Sequence, residues 1–230
     1  MLCTDRLDAS YGLFQALFGV SLSIAPGEVV ALIGANGAGK STLLRAIVGS
    51  VPSARRSVTV DGVAVGGQSE IALLELGVAL VPEGRRLFPS LTVEENLQVA
   101  ARNGRPGPWT IERLIRELPV LDGLRRRPAT TLSGGQQQLV AVCRALACNP
   151  QYLLCDEVSL GLSPVAVEAV YALLTKVREQ GVAVVLVEQN VRRALASSGR
   201  YYCMQKGRMV LEGRSREADY AQVATAYFGV

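Results

Sequence analysis

Histidine is missing from all 230 residues of the chain. Any catalysis therefore runs without an imidazole base, and histidine-ligated zinc chemistry is excluded. Aromatic residues are scarce, at 5% with a single tryptophan. Neither sign of charge dominates: 24 Lys and Arg against 20 Asp and Glu leave +4, too mild for a dedicated nucleic-acid binder. The five cysteines, Cys3, Cys143, Cys148, Cys155 and Cys203, are odd in number and include no C-x-x-C pair. They are expected to be buried, reduced thiols and not a disulfide framework. No run approaches the ~20 apolar residues that span a bilayer. The start, Met1 to Arg6, has no charged region followed by an apolar one, so no signal peptide is expected and a soluble, cytosolic chain is. What is present is apolar: 49% hydrophobic against 19% charged, a balance that excludes global disorder. A chain this long buries a core without staples, and its length fits one large α/β domain.

Short apolar runs at Val29–Ile33, Val78–Val81, Tyr152–Cys155 and Val182–Val187 are bounded by Gly, Pro or charge, as buried parallel strands are. Between them lie helical patterns. Ser41–Val48 places Leu43, Leu44, Ile47 and Val48 on one face before Gly49. Gln136–Cys148 ends at Asn149-Pro150, and Val165–Gln180 is closed by Gly181. Strands alternating with helices predict a doubly wound α/β core. From about Thr92 to Arg127 there is no convincing strand, and the segment is expected to be a mostly helical insertion, with Arg125-Arg126-Arg127 on its solvated edge. Tyr201–Gln205 and Arg208–Leu211 flank Lys206-Gly207 as a hairpin, followed by a tail helix.

Three motifs carry chemistry. Gly34-Ala35-Asn36-Gly37-Ala38-Gly39-Lys40-Ser41 is a complete phosphate-binding loop, entered from a strand and opening, with Thr42, into a helix. Its glycines let backbone N–H groups converge on phosphate oxygens, and the helix N-terminus adds its dipole. Lys40 is placed to reach the β- and γ-phosphates, and the Ser41 hydroxyl to bind Mg²⁺. Tyr152–Asp156-Glu157 is an apolar strand ending in two carboxylates. Asp156 suits Mg²⁺, usually through water, and Glu157 suits polarising an attacking water. Leu132-Ser133-Gly134-Gly135-Gln136 stands directly before a helix and forms a second anion site. One ATP needs only one phosphate loop.

Together these motifs make the chain resemble the ATP-binding cassette family over essentially its whole length. The resemblance implies an α/β P-loop NTPase core with a mostly parallel sheet flanked by helices and an N-terminal antiparallel β portion. It also implies a single domain, 1–230, with a helical subdomain inserted at about 85–148. Family domains dimerise head to tail, which explains the second site: Ser133, Gly134, Gly135 and Gln136 would cover the γ-phosphate held by a second cassette. ATP and Mg²⁺ are the implied cofactors. Tyr11 matches the aromatic that stacks on adenine, and Ser159–Ser163 the loop between composite sites, with Ser163 in place of the usual Asp. Val158 replaces the usual Pro after the catalytic Glu157. Glu83 stands where a Gln usually contacts Mg²⁺ and water, either near the metal or turned away toward a membrane subunit; Gln189 stands where a switch His is usual.

Val81–Asn96 and Val187-Glu188-Gln189-Asn190 resemble the ATPase subunits of branched-chain amino acid importers, as do Ile33–Lys40 and the short C-terminus. That resemblance implies integral membrane permeases as partners, a second cassette ATPase in a hetero- or homodimer, and indirectly a solute-binding protein. The location implied is peripheral, on the cytoplasmic face of the inner membrane. ATPases of urea or short-amide importers are close relatives, and a cluster-assembly ATPase is the soluble alternative. A guanine-binding Asn-Lys-x-Asp is absent, which argues against a GTPase.

Overall fold

The computed structural model describes residues 1–228. Strands β1 (Leu2–Tyr11) and β2 (Phe14–Ile24) form an antiparallel hairpin, and β3 (Val29–Ile33) leads into α1 (Lys40–Ile47). Two short strands, β4 (Val58–Val60) and β5 (Val63–Ala64), then α2 (Glu70–Glu75), precede β6 (Val78–Val81). Helices α3 (Val93–Asn103), α4 (Ile111–Glu117), α5 (Val120–Leu124) and α6 (Gly134–Leu146) follow before β7 (Tyr152–Asp156). The chain continues through α7 (Pro164–Glu179), β8 (Ala183–Val187) and α8 (Val191–Ala196). It ends with the β9 (Arg200–Gln205)–β10 (Arg208–Arg214) hairpin and α9 (Tyr220–Phe228).

Two sheets result. The antiparallel sheet has the order β2-β1-β4-β5, and the larger one β10-β9-β3-β8-β7-β6, parallel except at the β9–β10 hairpin. Every residue of β7 and β8 is buried, because α1 and the antiparallel sheet cover one face and helices the other; hence their uninterrupted apolar sequences. Edge strand β10 alternates instead between exposed and half-buried positions. One core lies between the two sheets and around α1, with Leu2, Leu17, Leu43 and Ile47 at its centre. A second joins the opposite sheet face to the helices between β6 and β7 and to α7, through Leu97, Leu114, Val140 and Val170. The mixed α/β class and the N-terminal antiparallel sheet are as expected.

Several boundaries differ from expectation, each for a local reason. Helix α1 starts at Lys40, since Gly39 itself is the N-cap. Helix α6 starts at Gly134, because Ser133 and Gln136 form a reciprocal capping box around a first turn that tolerates two glycines. Ser163 caps α7, accepting a hydrogen bond from the Ala166 N–H at 3.4 Å, with Pro164 in the first turn. A serine in place of the family's Asp thus keeps the capping oxygen. All five cysteines are free, but Cys3 is only half-buried, unlike the other four. The arginine run lies on a solvated edge as expected, with Arg126 and Arg127 exposed and Arg125 half-buried; Arg125 pairs with Glu94 at 2.7 Å, and Arg127 donates to the Thr131 carbonyl. Among the described residues, no helix is long and apolar enough to cross a membrane.

Candidate functional site

Strands β3, β8, β7 and β6 run parallel as successive neighbours, so their C-terminal ends make one row. Ligands of open parallel sheets bind outside such a row. The segments leaving it are the Gly34–Gly39 loop, Glu188-Gln189, Glu157 and Pro82-Glu83, in that order. They border a cleft of about 830 Å³ lined by Tyr11, Asn36, Gly37, Gly39, Lys40, Ser41, Thr42, Glu83, Glu157 and Gln189. Four motifs far apart in the sequence meet there because one sheet edge gathers them. Glu83 is exposed and faces this cleft.

Gly34, Ala35 and Ala38 form the frame of the phosphate loop. Gly34 has φ 153°, and a Cβ there would overlap the Met204 carbonyl; Gly39 has φ 105°, and a Cβ would lie 2.9 Å from Leu17 Cδ2. Both positions need glycine for conformation and for space. Helix α1 begins without a side-chain cap, so its first-turn amides are available to an anion. Lys40 is 4% exposed, and its Nζ donates to the carbonyls of Gly34 at 2.7 Å and Ala35 at 3.1 Å. Burial pulls its pKa down, while Glu157, with Oε1 at 3.8 Å, and Asp156 push it back up.

Ser41 Oγ donates to Asp156 Oδ1 at 3.0 Å. Asp156 is buried at the tip of β7; burial raises its pKa, the Ser41 bond opposes the rise, and Glu157 and Glu83 add to it. Two hard oxygen donors beside a concentration of carboxylates fit Mg²⁺, which keeps most of its ligands as water and phosphate. The described residues contain no group of three or more Cys, Asp or Glu side chains arranged to cage a metal by themselves. Glu157 sits in the left-handed region at φ 51°, and its N–H donates to the Val187 carbonyl at 3.1 Å. Its Oε2 accepts a hydrogen bond from Gln189 Nε2 at 2.7 Å. The carboxylate is 9% exposed, so its orientation is set by that bond and by Lys40.

Ser133, Gly134, Gly135 and Gln136 do not line this cleft. The capping box occupies the Ser133 and Gln136 amides, leaving those of Gly134 and Gly135 without an intrahelical acceptor. A Cβ on Gly135 would meet Ala166 Cβ at 2.7 Å, so this glycine lets α6 pack against α7. The α6 turn is tied to the cleft's Glu83 wall by two arginines. Arg85 donates to Gln137 Oε1 at 3.0 Å, and Arg144 donates to the carbonyls of Arg86 at 2.7 Å and Arg85 at 3.2 Å.

Sequence reading missed Phe14, Lys206 and Gly207, which also line the cleft. Lys206-Gly207 reads as a hairpin turn and nothing more. Its meeting with the phosphate loop is a tertiary event: the Gly207 N–H donates to the Ala38 carbonyl, and the Gly207 carbonyl accepts from Phe18 N–H, both at 2.9 Å.

Residues 17–159 match the ABC transporter family model. The chain is 40% identical to the high-affinity branched-chain amino acid transport ATP-binding protein BraG of Pseudomonas aeruginosa, over 92% of this chain and 91% of that protein. It is 31% identical to the lipopolysaccharide export system ATP-binding protein LptB of Escherichia coli K12, over 94% of this chain and 91% of that one. Among solved structures, the ATP-binding subunit of an ABC transporter superposes with a TM-score of 0.85 at 25% identity, covering 99% of both chains. A bacterial ABC transporter cassette solved as a dimer superposes with a TM-score of 0.82 at 27% identity, over 95% of this chain and all of the other. The chain belongs to the ABC transporter family, as an ATPase whose hydrolysis is coupled to transport.

Proposed function

We propose that the chain is the ATP-hydrolysing subunit of an importer for branched-chain amino acids, held at the cytoplasmic face of the membrane by permease subunits. The supporting observation is the cleft, in which Lys40, Ser41 and Glu157 meet Gln189 and Glu83 in place of the family's usual His and Gln. That pair of departures is the sequence feature on which the likeness to branched-chain importer ATPases rests, and BraG carries 40% identity. The likeness to LptB, at 31%, favours an export reading less.

In this reading adenine stacks on Tyr11 and the phosphates lie along the loop amides. Lys40, already held at the loop's mouth, neutralises phosphate charge, and Ser41 with Asp156 would hold Mg²⁺, which would supply further charge neutralisation. Glu157 orients and deprotonates the attacking water, and Gln189 fixes the carboxylate by its 2.7 Å bond. Phosphoryl transfer of this kind is driven by positioning and electrostatics. Ser133 and the free amides of Gly134 and Gly135 complete the site of a second cassette; the dimeric relative supports that arrangement. A solute-binding protein acts further away, outside the membrane.

The helices between β6 and β7 and the loop before them form the permease-facing side. A groove of about 660 Å³ there is lined by Ile71, Leu74, Arg86, Phe88, Val99 and Arg144, among others. Phe88 and Ile71 are exposed, and the groove's apolar floor with arginines at its rim suits a short helix from a membrane partner. Phe88→Asp is expected to abolish solute uptake while leaving the ATP affinity of the isolated chain within about twofold. The test of the whole reading is a co-purification of tagged Glu157→Gln protein from detergent-solubilised membranes with ATP and Mg²⁺. Two multi-span permeases and a second cassette ATPase establish an importer, and uptake assays with leucine, urea and short amides then assign the solute. Recovery with soluble proteins alone refutes it in favour of a soluble cassette ATPase.

A further inference from the structure

Glu188 is a buried carboxylate, 2% exposed, that the proposed chemistry does not use. Its partners are two neutral hydroxyls: Ser159 Oγ donates to Oε2 at 2.8 Å, and Tyr171 OH donates to Oε1 at 2.7 Å. Burying a carboxylate is costly unless it is well paired, and an apolar residue would fill the space at less cost. The position of the acid is informative. Glu188 directly precedes Gln189, and Ser159 lies two residues after Glu157. The segments leaving β7 and β8 are therefore joined three times: by Glu157 N–H to the Val187 carbonyl, by Gln189 to Glu157, and by Ser159 to Glu188. The outermost tie is the only one of the three that also reaches α7, through Tyr171.

We propose that Glu188 is a positioning residue for ATP hydrolysis: by gripping Ser159 on one side and Tyr171 on the other, it fixes the loop that carries Glu157 so that the Glu157–Gln189 pair stays formed. The inference rests on the roles given above to Glu157 and Gln189. Without the tie, Ser159, Leu160 and Gly161, which lie between buried Val158 and the α7 cap Ser163, lose their side-chain anchor to the segment after β8, and the Glu157 carboxylate keeps one side-chain hydrogen bond that it can leave by rotation. Nucleotide binding, which uses the loop after β3, is untouched by that loss.

The experiment is steady-state ATP hydrolysis by the full chain with Glu188→Ala, Glu188→Gln, Ser159→Ala and Glu157→Gln. Glu188→Ala is expected to lower kcat about tenfold with KM for ATP unchanged within about twofold, as loss of a positioning contact does. Glu188→Gln keeps the length and an acceptor for Ser159, and restores kcat to within about threefold of the starting protein. Adding Ser159→Ala to Glu188→Ala lowers kcat no further, because the two share one bond. A measurement independent of turnover is amide exchange with bound ATP: residues 157–163 exchange faster in Glu188→Ala, and α1 does not. A folded Glu188→Ala protein with unchanged kcat overturns the proposal, as does a rise in KM that accounts for the lost rate. If Glu188→Ala fails to fold, Ser159→Ala decides, and unchanged kcat and loop exchange there overturn it equally. Full hydrolysis by Glu157→Gln would refute the underlying site assignment, a result distinct from an inactive Glu157→Gln beside an unaffected Glu188→Ala.

Discussion

Replacing Gln189 with histidine should accelerate ATP hydrolysis, and the size of the gain follows from the geometry. Gln189 Nε2 is 2.7 Å from Glu157 Oε2 and half-buried; it donates a hydrogen bond but carries no charge. An imidazolium in its place puts a unit charge beside the carboxylate and the γ-phosphate. At about 4 Å and an effective dielectric of about 20, unit charges interact by about 4 kcal/mol. Water screens part of that, and most of the remainder acts equally on bound ATP and on the transition state. If about a quarter survives as a difference, the barrier falls by about 1 kcal/mol, or about fivefold in rate. The gain depends on pH in a defined direction. A free histidine titrates near about 6.5, and the adjacent Glu157 carboxylate raises that value. The charged form, and with it the gain, is present below the raised pKa and is lost as pH rises through it. The assay is kcat from about pH 6 to about pH 9, paired with proton NMR. Since the natural chain has no histidine, the introduced ring gives the sole imidazole titration in the spectrum. A charged imidazolium with no increase in kcat would refute the argument that charge at this position limits the reaction. A ring that stays neutral at pH 6 would refute its electrostatic premise.

Three other outcomes are expected. Burial pushes Cys143 to about 12 and Cys148 and Cys203 to about 11, and Cys155 is raised as well by burial. Iodoacetamide near pH 8 should therefore modify half-buried Cys3 alone in the folded protein and all five thiols in denaturant, read by intact mass. Ser163→Ala should cost about 1 kcal/mol and lower Tm by about 2–4 °C, whereas Ser163→Asp should leave Tm unchanged or higher; equal loss in both variants would count against the capping role. Lys206→Glu should weaken ATP binding about threefold at low salt, with the difference shrinking as salt is added. A salt-independent effect would mean that Lys206 acts through the turn and not through its charge.

How far the sequence was legible depended on the range of the interaction involved. Val29–Ile33 and Tyr152–Asp156 announce themselves because strands buried on both faces contain little but apolar residues, and α7 because Gly181 closes its helical pattern, whereas its Ser163 cap emerges only in the structure. Strands β4 and β5, at three and two residues, and helices α2 and α8, at six each, are too short for any period to show. Lys40, Ser41, Asp156 and Glu157 could be singled out because their chemistry is written in contiguous strings. The orientation of Glu83 could not, since it depends on the turn at Arg85 and Arg86, both at positive φ and clamped by Arg144 from a distant helix. Glu188 was read only as part of a string of resemblance; its role as a tie needs Ser159 and Tyr171 to be brought to it by the pairing of β7 with β8.

The two hydrogen bonds at Gly207 have a mechanical consequence. One reaches the phosphate loop at Ala38, the other reaches β2 at Phe18, and β2 pairs with the strand that ends in Tyr11. Under the nucleotide placement proposed above, the wall that would meet the base and the wall that would meet the phosphates are joined through a single residue, Gly207. If both bonds persist when ATP settles between those walls, little of the binding energy goes into drawing them together, and it is left to act on the neighbouring polypeptides to which hydrolysis is coupled.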